Sequence, residues 1–517
     1  MSAAVSFERF SFRYGDAGPD VLRDIDLRVH QGELVVLTGE SGCGKTTLTR
    51  AMNGLIPLVY QGDMRGCVAI DGKPVTEWTT SDLAATVGSV FQNPRSQFVN
   101  SDVEAELAFG CENQGLPREV IVERVRESAR TFGIGHLLHS RVEELSGGQR
   151  QMVVLASVYA THPDIFVLDE PTAALDVPSM ERLGRALTRI KSMGKTVIVS
   201  EHRLWWLSGL TDRVVVIRGG AIAGSWSAAD FGALPWKARS EWGLRAWQAD
   251  EMDAAALRCA SCEKVSATLA DDGLEERRVT LETRDLCVSY RHRRKVVDDC
   301  DLTIPAGTVV GLVGANGTGK TTLARCLCGI QRESSGTVGL AGTALRPSQR
   351  TGSVYLVMQE PGYQLFEHTV ARELEEAQRH GPHRGAPETF SVESLMEDFG
   401  LADLAQRHPL SLSGGQGQRV SIAAGLLYGA RALVMDEPTS GLDYRNMAVI
   451  AEQIGRLKRH GLPICVVTHD YEFLCSVCDA VVSLDGGRPS VPVPLTPETL
   501  GHIRELLGFS SGHQGIH

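Results

Sequence analysis

The 517-residue sequence contains no apolar run that approaches the ~20 residues a bilayer-spanning helix requires. That excludes a helical membrane component. The first nine residues lack a basic segment followed by an apolar one, so no secretory signal is expected. The protein is expected to stay where it is made, or to dock on a membrane from the cytoplasmic side. Basic charge is also in short supply: 52 Lys and Arg stand against 63 Asp and Glu, a net charge of −11. A general nucleic-acid binder would carry a basic face and a high isoelectric point, so nucleic acid is not expected as a partner. A disulfide framework is absent too, because twelve cysteines without an export signal read as reduced thiols. Two pairs have C-x-x-C spacing, Cys259/Cys262 and Cys475/Cys478, but a zinc site would need both pairs brought together across a long separation. The expectation is linker thiols for the first pair and a half-buried helix face for the second. A chain of this length needs neither staple, since it can bury ample core.

What the sequence does contain is a repeat. A Gly-x-x-x-x-Gly-Lys-Thr-Thr segment, Gly39 to Thr47, recurs from Gly314 to Thr322. Leu-Ser-Gly-Gly-Gln occurs at 145–149 and at 412–416, and an Asp-Glu-Pro-Thr run at 169–172 and 436–439. Ser146/Ser413, Asp169/Asp436, His202/His469 and Gln92/Gln359 are all separated by 267 residues. Lys45 and Lys320 are 275 apart, so the second copy is eight residues shorter between its Gly-rich loop and its glutamine. A constant offset over four motifs means two copies of one domain, placed at 4–230 and 281–490. The stretch 231–280 reads as a linker, with seven basic and nine acidic residues and with Trp236, Trp242 and Trp247. The tryptophans are expected to cover apolar surface of the parent domain, and 491–517 reads as a tail. Short apolar runs at 33–37, 165–168, 196–199, 309–313 and 464–467 read as buried parallel strands, with amphipathic stretches between them as helices. The result is an α/β fold with helices on both faces of each sheet.

The Gly-rich segments follow a strand and open a helix, the context that makes a phosphate loop. Gly39, Gly42 and Gly44, like Gly314, Gly317 and Gly319, let successive N–H groups turn toward one anion at a helix N-terminus. Lys45 and Lys320 would reach the β- and γ-phosphates of ATP. Thr46 and Thr321 would ligate Mg2+, and Thr47 and Thr322 complete the cradle. Asp169 and Asp436 end apolar strands and would hold Mg2+ directly or through water. Glu170 and Glu437 follow, where a carboxylate can orient and deprotonate the attacking water.

Leu-Ser-Gly-Gly-Gln stands 23 residues before the aspartate in both copies. This resembles the signature of ATP-binding cassette (ABC) ATPases, over some 450 residues with every diagnostic motif present twice. The resemblance implies two tandem phosphate-loop NTPase domains, each with a mostly parallel core sheet, an antiparallel β subdomain and a helical signature subdomain. It implies that the signature of one cassette, through Ser146 and Gly148 or Ser413 and Gly415, closes on ATP held by the other, the two cassettes pairing within one chain. Gln92 and Gln359 match the glutamine that senses Mg2+ and water and touches the transport partner. His202 and His469, 32 residues after the glutamates, match the histidine that contacts the γ-phosphate. Asp176 and Asp443 match an interface loop. Tyr14 and Tyr290, 25 and 24 residues before the first loop glycine, are similar to the aromatic that stacks on adenine. Copy one departs from the family twice. Met152 stands where copy two keeps Arg419, and Glu201-His202-Arg203 stands against Thr468-His469-Asp470. Neither departure removes a catalytic group; both bear on whether the two sites turn over equally.

The segments after the glutamines, 91–113 and 359–370, resemble those of energy-coupling-factor (ECF) importer ATPases, related to the cobalt-type importers. There the cassettes drive a transmembrane coupling protein and a small substrate-binding membrane protein, and import vitamins, their precursors or transition-metal ions. Ser101 to Glu104 reads as a capping box that starts a helix beside the groove for the coupling helices. Two other readings stand beside this one. Fused ATPases of monosaccharide importers usually have one degenerate site, whereas both copies here keep Lys, Asp, Glu and His. Ribosome-acting tandem cassettes typically have a long basic linker, and this one is slightly acidic. The run 291–295 is basic and reads as a solvated loop beside Tyr290.

Overall fold

The computed structural model describes residues 2–15, 18–253, 279–290, 295–381 and 390–509. Cys259, Cys262, residues 291–294 and the end of the chain lie outside the described residues. Two compact units emerge, the first built mainly of residues 1–249 and the second mainly of the remainder.

The core of the first unit is a six-stranded sheet in the order Val87–Val90, Ile165–Asp169, Thr196–Ser200, Leu34–Gly39, Arg213–Arg218, Ala221–Ser227. All pairings are parallel except the last. Ile165–Asp169, Thr196–Ser200 and Leu34–Gly39 are buried at every position, because helices cover both faces and leave no side for polar alternation. Parallel strands end at one sheet edge, so Gly39, Asp169 and Ser200 arrive together, with Asp169 and Ser200 paired in register. A separate antiparallel sheet of four strands (Leu22–His30, Ala3–Tyr14, Gly62–Ile70, Lys73–Pro74) packs its Phe7, Phe10 and Phe12 into a shared core. A third, helical part comprises Val103–Asn113, Arg118–Thr131 and Gly147–Ala160, packed against one another.

The second unit repeats this architecture. Its large sheet runs Val354–Val357, Ala432–Asp436, Ile464–Val467, Val309–Val313, Ala480–Asp485, Arg488–Pro489, with Val493–Pro494 paired to Ala480–Asp485. Its antiparallel sheet runs Lys295–Ile304, Leu281–Ser289, Ser335–Leu340, Thr343–Ala344.

Two of the linker tryptophans pack within the first unit. Trp242 stacks on Trp226 with centroids 5.3 Å apart, and Trp247 meets Phe231 edge-on at 5.1 Å. Two local expectations need correction. The helix Val103–Asn113 is capped by Asp102, whose side chain accepts from Ala105 N at 3.1 Å, and not by a box from Ser101 to Glu104. Asp102 takes the extended backbone of a cap, and its carboxylate reaches the N3 amide. Cys475 and Cys478 are fully buried rather than half-buried, because the helix Tyr471–Val477 and its end pack directly on the strand Val309–Val313.

Candidate functional site

Each unit forms one site at the C-terminal edge of its large sheet. In the first, the buried strand Leu34–Gly39 leads through a tight loop into the helix Lys45–Met52. Gly39 and Gly44 have φ of 150° and 107°, a region that L side chains avoid. A Cβ on Gly39 would lie 2.1 Å from Ile217 O, and one on Gly44 2.6 Å from Leu22 Cδ2. The loop is thus wrapped too tightly for any side chain at its ends. Gly314 and Gly319 repeat this, with φ of 138° and 106°. Gly42 and Gly317, also at positive φ, face open space. Lys45 Nζ donates to Gly39 O at 3.0 Å and Glu40 O at 3.1 Å, while Lys320 Nζ donates to Gly314 O at 2.7 Å and Ala315 O at 2.9 Å. Each ammonium is folded back over its own loop and, where an anion enters, can exchange carbonyl partners for phosphate oxygens.

Asp169 stands at the end of its strand with Oδ1 buried and without a protein partner. Burial pushes its carboxyl up and the neighbouring Glu170 adds to this, while the hydroxyls of Ser200 and Thr46 oppose. Asp436 is likewise raised by burial, opposed by Thr321, Arg325 and Lys320. A buried, unsatisfied carboxylate oxygen beside a threonine hydroxyl is a donor set that fits Mg2+. Among the described residues no cluster of three His, Cys, Asp or Glu side chains forms a self-contained metal site.

Glu170 and Glu437 adopt left-handed backbone, φ 44° and 50°. Non-glycine residues pay about 1–3 kcal/mol for this. The surroundings hold them there, since Glu170 N donates to Ser200 O and Glu437 N to Val467 O, both at 2.8 Å. The turn aims each carboxylate away from the strand. Glu170 Oε2 accepts from Gln92 Nε2 at 2.8 Å, and Oε1 lies 3.3 Å from His202 Nε2, which is 3.2 Å from Lys45 Nζ. Burial alone would raise the Glu170 carboxyl, but His202 and Lys45 outweigh it and hold the group below its ordinary value. Burial and Lys45 push His202 down. The chain Gln92–Glu170–His202–Lys45 thus pairs an ionised carboxylate with a buried imidazole. In the second site Glu437 Oε2 accepts from Thr468 Oγ1 at 3.3 Å and His469 N at 3.4 Å, and His469 Nε2 lies 3.1 Å from Asn316 Oδ1. Gln359 there donates to Ser440 at 3.5 Å.

The tyrosines sit beside the loop helices. Tyr14 Oη is 3.2 Å from Thr47 Oγ1 and accepts from Arg50 at 3.1 Å; Tyr290, exposed, has its Oη 3.4 Å from Thr322 Oγ1. Ser146 and Ser413 cap the helices Gly147–Ala160 and Gly414–Leu427 with complete capping boxes to Gln149 and Gln416. Gly148 has a second reason to be glycine: a Cβ would lie 2.2 Å from Ser179 Oγ, as one on Gly415 would lie 2.8 Å from Asn446 Oδ1. Asp176 caps the helix Val177–Ser192 by accepting from Ser179 N at 3.0 Å.

Sequence reasoning missed Ser200, which neighbours Asp169, and the pair Thr172/Thr439, whose hydroxyls donate to Glu201 and Asp470. The Thr pair recurs at the 267-residue offset and was findable from the repeat. Gln97 and Gln364, and Glu106 and Glu373, also recur at that offset. Gln97 bridges Phe91 N and Ser89 O, and Gln364 bridges Met358 N and Leu356 O. Glu106 accepts from Val99 N and Asn100 N, and Glu373 from Phe366 N and Glu367 N. Each cassette therefore braces the loop after its glutamine with the same two side chains.

Fold and site together define a tandem phosphate-loop nucleoside triphosphatase. The family described as "ABC transporter" matches residues 22–173 and 297–440, more than half of the chain. A protein of Treponema denticola, provisionally named an ABC transporter ATP-binding protein, is 37% identical over 488 residues, covering 94% of this chain and 96% of its own. A Bacillus subtilis protein, provisionally named the HMP/thiamine import ATP-binding protein YkoD, is 32% identical over 504 residues, covering 93% and 89%. Among solved structures, one described as RNase-L Inhibitor aligns with TM-score 0.62 at 22% identity over 97% of this chain and 93% of that one, a likeness of fold alone. The chain belongs to the ABC transporter family, as a fused tandem of two ATP-binding cassettes. It is an ATPase coupled to transport that works with membrane components, and no helix among the described residues is long and apolar enough to cross a membrane.

Proposed function

We propose that this chain is the ATP-hydrolysing subunit of an ECF-type importer for a vitamin, vitamin precursor or transition-metal ion. It docks on the cytoplasmic membrane face against a transmembrane coupling protein and a small substrate-binding membrane protein. The observation that carries this reading is the braced loop after each glutamine. It presents an apolar side chain to solvent at one equivalent position in both cassettes: Val99, 64% exposed, and Phe366, 80% exposed. In the first cassette Val99, Phe91, Phe109, Leu58 and Val59 also line a groove of about 350 Å³. Rigid loops that expose apolar groups beside the glutamine suit the end of a coupling helix. The thiamine-related import in the name of the Bacillus subtilis relative supports a small cargo of this class.

The chemistry is assigned to this chain's own residues. The loop amides of Gly39–Thr47 and Gly314–Thr322 bind the phosphates with Lys45 and Lys320, and Tyr14 and Tyr290 stack on adenine. Ser146 and Gly148, and Ser413 and Gly415, clamp the γ-phosphate of the nucleotide held by the other cassette. Bound Mg2+ would neutralise charge on the β- and γ-phosphates, held by Thr46, Asp169 and Gln92 in one site and Thr321, Asp436 and Gln359 in the other. Glu170 and Glu437 take the proton of the attacking water, and His202 and His469 contact the γ-phosphate. The cassettes are assigned to 4–230 and 281–490, joined by 231–280. Extraction of the tagged chain in mild detergent tests the partner assignment. Co-purification of the two membrane proteins supports it; ribosomes, or a conventional permease with a binding protein, refute it.

A further inference from the structure

The triads around the two histidines differ in sequence, and the structure shows how the difference is absorbed. In the second cassette Asp470, after the histidine, carries the anchoring carboxylate. Its Oδ2 accepts from Thr439 Oγ1 at 2.9 Å and its Oδ1 from Phe473 N at 3.3 Å. Thr468, before the histidine, gives its hydroxyl to Glu437 and accepts from Asp470 N at 3.0 Å. In the first cassette the residue after the histidine is Arg203, which cannot accept. The residue before it, Glu201, is buried and does so instead. Its Oε2 accepts from Thr172 Oγ1 at 2.5 Å, and its Oε1 from His202 N at 2.8 Å and Arg203 N at 3.2 Å. Thr172 and Thr439 are equivalent, so one hydroxyl is held in both cassettes by carboxylates reaching it from opposite sides of the histidine.

We propose that Glu201 is a positioning residue for ATP hydrolysis in the first cassette, doing from before His202 what Asp470 does from after His469. It fixes the backbone that carries His202 to the loop after Glu170, so the imidazole stays beside the Glu170 carboxylate. The exchange has a consequence for the site. Thr468 donates to the catalytic glutamate of the second cassette; Glu201 stands in that place as a second carboxylate and, when ionised, cannot. The first site therefore leans on Gln92 and His202 to hold its glutamate. The groups facing Glu201 are Thr172, Glu170, His202 and Arg203. Burial, with Glu170 adding to it, raises the Glu201 carboxyl to about 7, against the pull of Thr172, the His202 amide and Arg203. Protonation of Glu201 removes acceptor capacity from this anchor near neutral pH, and no such group stands before His469.

The proposal rests on the reading of His202 as a γ-phosphate contact, and the test separates the two. In the purified full chain, with E437Q in every variant so that turnover is read from the first site, steady-state ATP hydrolysis is compared for the otherwise wild-type chain, H202A, E201Q, E201T and E201T/R203D. E201Q is expected to lower kcat about ten-fold with KM for ATP within about two-fold, the loss of a charge-assisted anchor rather than of binding. E201T falls at least as far, and E201T/R203D, which rebuilds the Thr-His-Asp order of the second cassette, recovers most of the loss. The wild-type kcat falls as pH drops below about 7, and this limb is missing from E201Q. A wild-type kcat in E201Q, or identical pH profiles, would overturn the proposal while leaving His202 standing if H202A is inactive. Activity in H202A equal to wild type would instead sink the reading of the histidine. Should the double exchange fail to fold, E201Q and the pH profiles decide.

Discussion

Glu170 and Glu437 illustrate how a single backbone angle shapes a site. Left-handed φ at the residue after a buried strand turns each carboxylate out of the sheet and beside its histidine. Replacement of both by Gln should preserve ATP binding and reduce turnover at least about 100-fold, since only the proton acceptor is lost; nucleotide binding and phosphate release measured on one preparation check this. The loop glycines allow a graded comparison. Gly39→Ala forces a Cβ into Ile217 O on top of an unfavourable φ and should cost about 2 kcal/mol or more, whereas Gly42→Ala meets open space and carries the backbone strain alone. Thermal unfolding of the two variants should rank them in that order. Glu201 also makes a statement about stability. Its folded value of about 7 lies above the ordinary 4.5, so between those pH values the folded chain holds a proton that the unfolded chain has lost. The contribution is complete below the lower value and is lost as pH rises through the upper one. Stability should therefore fall over this window in wild type more steeply than in E201Q, as denaturant titrations at pH 5, 6 and 7.5 would show.

At the scale of the element, caps decide where helices begin. The signature helices start at serines that exchange two hydrogen bonds with a glutamine three residues on, so the same residues that would face a nucleotide also terminate their own helices. Ser146→Ala should destabilise its unit by about 1 kcal/mol irrespective of nucleotide. For the helix Val103–Asn113 the assignment differs from the pattern Ser-x-x-Glu. Asp102→Ala should cost about 1 kcal/mol and Ser101→Ala much less. A short-range motif one residue from a second cap-forming side chain cannot rank the two; the competition is settled by the loop that delivers the chain into the helix. There Val142 N donates to Ser101 O and Val103 N to Ser140 O.

At the scale of the whole molecule, duplication makes each cassette a control for the other. The same order of core strands, the same braced loops and the same capped signature helices occur twice, and the difference that reaches the catalytic glutamates lies around the histidines. The paired apolar positions give the prediction that belongs here. Val99→Glu with Phe366→Glu should leave ATP binding by the chain intact and abolish recovery of its membrane partners, because a charge on each docking loop cannot enter an apolar contact without losing its hydration. Co-purification of both partners with that double variant would move docking elsewhere on the surface.

The sequence by itself determined the duplication, the α/β architecture, the phosphate loops, the strand-end aspartates and the signature serines. Each of these is written in local spacing: glycines where the backbone must turn, an apolar run where a strand is buried on both faces, a serine three residues before a glutamine. What only the tertiary structure decided lies between segments distant in the chain. The anchoring of Thr172 by Glu201 and of Thr439 by Asp470, the packing of Gly148 against Ser179, and the orphaned Oδ1 of Asp169 depend on which side chains meet across the sheet edge. Spacing along one strand or helix fixes a residue's face. It does not fix which of two neighbouring carboxylates reaches a hydroxyl some 30 positions away, because that depends on how the connecting loops fold back on the sheet.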